Sequence, residues 1–182
     1  MIKTYGAAVF AAALIALPST VGAAGTPAHM PSMGMGTVTI PVTAGGYQMT
    51  LMIGPREAMY TQAQARRSHP TTGEIMLRGA MMGGMGMGMG MDMLNRHLEV
   101  HVLDLRTMRP ASNPMVSITY QALSPVMMPM MMRLVHVPVA VMVGLTMDMS
   151  DIHYGNNVSM PGGAYRVSVY VNKAYAIYTV RL

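Results

Sequence analysis

The chain has 182 residues, a formal net charge of +5, 26 methionines, and neither cysteine nor tryptophan. Without cysteine there is no thiol nucleophile, no disulfide framework and no lipid-attachment cysteine. The basic excess is spread thinly, with Arg66-Arg67 its one adjacent pair, and a single phenylalanine offers little stacking surface, which argues against nucleic-acid binding.

The N-terminus reads as an export signal. Lys3 precedes the apolar run AAVFAAALIAL, and PSTVGAAG follows with helix-breaking and small residues. The run is shorter than the roughly 20 residues of a membrane-spanning helix. Residues 1–24 are therefore expected to be a signal peptide, cleaved after Ala23 or Ala24, and the mature chain to be periplasmic. In an oxidising compartment a thioether stays a neutral soft ligand where a thiol is a liability, and soft thioethers favour Cu(I) over hard cations. The plainer use of methionine, as a flexible core filler, covers scattered residues such as Met49, Met52 and Met115.

Residues 25–36, GTPAHMPSMGMG, are expected to form a flexible arm carrying Met and His29. A single β domain over 37–182 follows. TVTIPVT (37–43) and YQMTLMI (47–53) flank Ala44-Gly45-Gly46, a hairpin signal. Thr61-Gln62-Ala63-Gln64 matches a capping box, which predicts a short helix over 62–67 ended by Pro70. The tract MMGGMGMGMGMDM, at 81–93, has neither helical nor strand character, and its glycines predict a flexible Met/Gly-rich loop. Strands are then predicted at HLEVHVLDL (97–105), MVSITYQAL (115–123), MRLVHVPVAVM (132–142), AYRVSVYV (164–171) and AYAIYTVR (174–181). Short strands with turn residues between them imply an all-β fold, an immunoglobulin-like antiparallel β-sandwich with one short helix.

Three clusters carry possible chemistry. In HLEVHV, alternation puts His97, Glu99 and His101 on one face of a strand and Leu98, Val100 and Val102 on the other. Two imidazoles and a carboxylate thus project from one side, close enough for two of the three to share one metal. The same pattern would also serve a plain polar surface. In MDMSDIHYGNNV, His153 is expected in a loop at the end of the sandwich, with Gly155-Asn156-Asn157 turning the chain into the next strand. In VMMPMMMRLVHVPVAVM, His136 lies among methionines at 127–132 and Met142. No Gly-x-Ser-x-Gly or His-Glu-x-x-His pattern supports hydrolysis, and His69 and Glu74 fall in no catalytic motif. The chain reads as a non-enzyme.

His97-Leu98-Glu99 followed by His153-Tyr154-Gly155-Asn156-Asn157 resembles the periplasmic Fe2+ transport protein family, over about residues 95–182. The resemblance implies an immunoglobulin-like sandwich, often dimeric, that binds copper and iron and accompanies an inner-membrane metal permease. It implies a metal held by His97, His153 and a methionine, for which the strand VPVAVM offers Met142, with Met147 in reserve. Glu99 would tune that ion or bind a second one, and His101 matches a further histidine of the motif. The family carries another histidine toward the C-terminus, whereas this chain has none after His153. The site is then either three-coordinate or completed by a loop methionine (Met89, Met91 or Met93), His101 or His136. The expectation is capture of Cu(I), or of copper and iron(II) together, for transport, delivery or buffering, with binding that weakens below about pH 6 as the imidazoles protonate. The competing expectation is a protein-protein interaction or assembly module, its methionines a plastic contact surface.

Overall fold

The computed structural model describes residues 37–79, 94–123 and 133–182. The expected signal peptide, the arm at 25–36, the tract at 81–93 and Met127–Met132 lie outside them.

Two antiparallel-rich sheets pack face to face. The larger contains β1 (Val38–Ala44), β2 (Tyr47–Pro55), β3 (Met59–Thr61), β4 (Glu74–Arg78), β5 (Arg96–Asp104), β6 (Arg109–Pro110), β9 (Ala140–Gly144) and β10 (His153–Val158). Its order is β1-β2-β5-β10-β9-β4-β3, with β6 pairing on β5. The smaller sheet runs β12 (Ala174–Arg181), β11 (Ala164–Val171), β7 (Val116–Ala122), β8 (Val135–Val137). The all-β sandwich expected from the alternation is what forms.

Period-2 patterning decides which side chains lie between the sheets. From β2 and β5 come Met49, Leu51, Ile53, Leu98, Val100 and Val102, all essentially buried. They meet Ile118, Val167, Val169 and Tyr178 of the smaller sheet. Each such side chain stabilises the fold by about 1.5–3 kcal/mol relative to exposure. The Tyr178 hydroxyl donates to Met49 O at 2.7 Å, a polar tie between the layers.

The helix α1 (Gln62–Ser68) forms where its capping box predicts it. The Thr61 side chain accepts from Gln64 N, and the Gln64 side chain accepts from Thr61 N. His69 ends it in the left-handed region, at φ 46°. The run 132–142 departs from expectation. It is two strands, broken around Pro138, and the chain changes sheets there: β8 belongs to the small sheet and β9 to the large one. Proline has no N–H to give a ladder, so a central strand cannot run through it.

The larger correction concerns HYGNNV, expected as a loop and turn. It is strand β10, every residue of which is buried, and it sits in the middle of the large sheet between β5 and β9. Glycine and asparagine are poor strand formers in isolation, and here tertiary contacts override that. A Cβ on Gly155 would meet Leu98 O and come 2.8 Å from Glu99 Cα, so only glycine lets β5 approach this closely. Asn156 Nδ2 donates to Pro138 O at 2.7 Å, and its Oδ1 accepts from Asn157 N. The buried amide is therefore satisfied. Strands β3 and β4 were not expected, and β4 turns out to matter most.

Candidate metal centre

Antiparallel pairing sets His153 opposite His101 on β5 and opposite Met142 on β9. Directly paired residues project to the same face of a sheet. One row of the outward face therefore reads His101, His153, Met142 and, on β4, Met76. Two residues along the strands, Glu99 faces Gly155, and two further on His97 faces Asn157. The expected common face of His97, Glu99 and His101 is real, with Leu98, Val100 and Val102 in the core behind it.

This outward face is not a surface. His97 and His153 are each 2% exposed and Met142 is fully buried, although Met142 is outside the apolar cluster between the sheets. The chain between β2 and β4 closes over it: Glu57 N donates to Asn157 Oδ1 at 3.1 Å, and Asn157 Nδ2 donates to Glu57 O at 2.8 Å. Strand β4 then brings Glu74, itself 7% exposed.

Glu74 is the residue sequence reasoning missed. Its Oε1 lies 3.1 Å from His153 Nε2 and its Oε2 lies 3.3 Å from His97 Nε2. Glu99 Oε2 is 3.3 Å from His153 Nε2 and 3.8 Å from His97 Nε2. One ligand atom from each of Glu74, His97, Glu99 and His153 falls within 4.8 Å of the others. A signal did exist. The chain has only 7 acidic residues, and in GEIM the apolar alternation of Ile75 leaves Glu74 and Met76 on the opposite face. The missing step was to recognise GEIMLR as a strand.

His101 sits beside this cluster. Its Nε2 is 3.6 Å from Glu99 Oε1, its Nδ1 is 3.9 Å from Asp151 Oδ1, and its ring centroid is 5.1 Å from that of His153. His101, Asp151 and His153 form a second, more exposed group of possible ligands. His136, by contrast, lies exposed on β8 of the other sheet and joins neither group among the described residues. Met147 is half-exposed in a turn, lining a cavity of about 460 Å³ with Arg66, His69, Ile75 and Leu145. No member of either ligand group lines that cavity.

The electrostatics are those of charges held out of water. Burial disfavours a charged His153, but the adjacent Glu74 and Glu99 carboxylates outweigh it and lift its pKa to about 9. Burial likewise works against ionised Glu99, yet its contact with His101 and the nearby imidazoles bring its pKa below the ordinary carboxylate value. Desolvation and the like charge of Glu74 raise Glu57. Three buried atoms, Glu74 Oε2, His97 Nε2 and His153 Nε2, make no hydrogen bond of good geometry, although Glu74 Oε2 stands at ion-pair distance from His97 Nε2 and Glu74 Oε1 from His153 Nε2. Buried polar atoms left unpaired are costly, so such a convergence marks a place where something else belongs. Two imidazoles and two carboxylates are the donor types of a first-row transition-metal site, and they fit an ion here.

No family model and no curated protein matches this chain. Among solved structures it is similar to FetP of uropathogenic Escherichia coli, at 16% identity over 76% of each chain, with a TM-score of 0.42. It is also similar to the copper-reconstituted P19 protein of Campylobacter jejuni, at 17% identity over 75% of this chain and 76% of that one, with a TM-score of 0.41. These belong with the proteins that the two sequence motifs resemble. At this identity and TM-score the likeness carries no argument, and the centre is read from its own side chains.

Proposed function

We propose that this chain is an exported, periplasmic metal-binding protein that captures copper or ferrous iron at the buried centre of Glu74, His97, Glu99 and His153, and that it is not an enzyme. The observation that carries the reading is the convergence of three buried atoms that face one another's residues without a hydrogen bond of good geometry, Glu74 Oε2, His97 Nε2 and His153 Nε2. Glu74 supplies the ligand that the absent C-terminal histidine would have supplied. Met142, next to His153 across β9 and β10, adds a thioether on the same face. The His2Glu2 set is harder than a site built from methionines. It suits a divalent ion, and Cu(I) would draw on Met142.

The ion is cargo. Glu99 faces both the buried group and His101, so it is placed to pass an ion between the outer group with Asp151 and the inner one. Delivery to an inner-membrane permease, and action as a homodimer, are the roles that the motif resemblance adds.

Titrating the mature protein with Cu(I), Cu(II) and ferrous iron against a competing chelator tests the reading. Binding of at least one of them tighter than about micromolar is expected, abolished in a His97→Ala/His153→Ala double variant. If none binds that tightly, the metal reading fails and an assembly module takes its place.

A further inference from the structure

The centre's two histidines need the correct nitrogen free. A neutral imidazole carries its proton on one nitrogen and its lone pair on the other, and only the lone pair can ligate. Nε2 is the atom that faces Glu74 in both His97 and His153. For His153 the backbone decides the matter. Its Nδ1 lies 2.9 Å from Asp151 O, and a carbonyl only accepts, so Nδ1 bears the hydrogen. His97 has no such carbonyl. Its Nδ1 lies 3.1 Å from Asn157 Oδ1, and a carboxamide offers either an acceptor or a donor depending on how it is turned.

The turn of that amide is fixed from a third element. Asn157 Oδ1 takes the N–H of Glu57, which can only donate, and Asn157 Nδ2 gives a hydrogen to the Glu57 carbonyl, which can only accept. Both bonds would be lost by a flip. The oxygen is therefore the atom that His97 meets, and this contact is a hydrogen bond only with the His97 hydrogen on Nδ1, which in the neutral ring leaves Nε2 bare toward Glu74 and Glu99. We infer that Asn157 is the positioning residue of this centre: it sets the tautomer of His97, and it ties the β2–β3 connection at Glu57 to the ligand set. The proposal deepens the metal-binding reading and rests on it only for the effect on affinity. The tautomer itself is a property of the metal-free protein.

The test is long-range proton–nitrogen NMR of the histidine rings in the metal-free protein, with chelator present, at alkaline pH. In the unaltered chain, both His97 and His153 should show Nδ1–H. In Asn157→Ala, His97 should move toward Nε2–H, the form that free histidine prefers. His153 should keep Nδ1–H and so report that the sheet is still folded. Asn157→Asp keeps an acceptor for His97 but sets a carboxylate oxygen against the Glu57 carbonyl. It should hold the His97 tautomer while loosening the Glu57 segment, seen as faster amide hydrogen exchange there. Metal affinity should fall roughly 10–100-fold in Asn157→Ala, the usual effect of removing a group that orients a ligand. Asn157→Asp should lose less. An Nε2–H form of His97 in the unaltered chain overturns the inference without any variant. Nδ1–H persisting in a folded Asn157→Ala overturns it too. A chain that binds no metal yet shows these tautomers sinks the proposed function and leaves the positioning role standing.

Discussion

The two outward faces of the sandwich obey one alternation rule and end as opposites. On β11 and β12 the residues that alternate with the core, Arg166, Tyr170, Tyr175, Ile177 and Arg181, are exposed, as is His136 on β8. On β5 and β10 the corresponding places hold His97, His153 and Asn157, each nearly or fully out of water. What differs is the covering chain: the Glu57 backbone bonded to Asn157, and β4 extending the large sheet with Glu74. A histidine on an outward face is ordinary. One that goes under cover with two carboxylates, and with polar atoms left unpaired, is not, because the fold bears a desolvation cost there that packing alone does not return.

The largest expected effect breaks that contrast at its centre. His153→Ala or Glu74→Ala should weaken metal binding by more than the roughly 10–100-fold typical of groups that only orient a ligand. His136→Ala should leave it unchanged. Competition titration of the three variants side by side makes the comparison. A loss in His136→Ala equal to the others would mean that cover and carboxylates are not what make the site.

The second effect is on pH. His153 in the folded, metal-free chain has a pKa of about 9, above the 6.5 of an ordinary histidine. A raised histidine pKa stabilises the fold fully below the unfolded value, and this contribution is lost as pH rises through the folded one. The melting temperature of the metal-free protein should therefore fall between about pH 6.5 and 9. Metal binding expels the same proton, so affinity should climb over that window and the loaded protein should show no such fall. Parallel melting curves with chelator and with metal check both statements. Reading the sequence alone put the loss of binding below about pH 6, the range of a free imidazole, because it could not see Glu74 and Glu99 beside the ring.

That miss shows what was legible. The strands of the core were readable because apolar residues at period two need no partner to be identified: Tyr165, Val167, Val169 and Val171 declare their face by themselves. The common face of His97, Glu99 and His101 followed from the same rule. Asn156, Asn157 and Gly155 read as a turn because their strand depends on contacts with Pro138, Glu57 and β5, from 18 to 100 residues away for the two asparagines. For Glu74 the local alternation gives only the face it takes on its strand. Its meeting with His153 is made by the order β10-β9-β4, which no local pattern encodes. Met142 is a candidate ligand through the resemblance and not through periodicity, and the sheet pairs it with His153 across β9 and β10.

A smaller effect belongs to the interior. Tyr178→Phe removes the hydroxyl's bond to Met49 O, a carbonyl of a strand that is paired on both sides, and should cost about 0.5–1.5 kcal/mol. Denaturant unfolding would register it. Metal affinity should not move, since the bond lies between the sheets and the ligands lie outside them.

The smallest effect tests the other face. Tyr170 and Tyr175 pair across β11 and β12 with rings stacked at 6.0 Å, each 49% exposed. A cross-strand pair of this kind contributes about 0.2–1 kcal/mol, and half-exposed rings keep much of their hydration in the folded state. Tyr175→Ser should therefore cost no more than about 1 kcal/mol in unfolding free energy and leave metal affinity untouched. A loss of several kcal/mol, or one that grows with protein concentration, would show that something covers this face in solution. The two outward faces would then differ in what lies over them, a partner on one and the chain's own β2–β4 connection on the other, and no longer in whether they are covered at all.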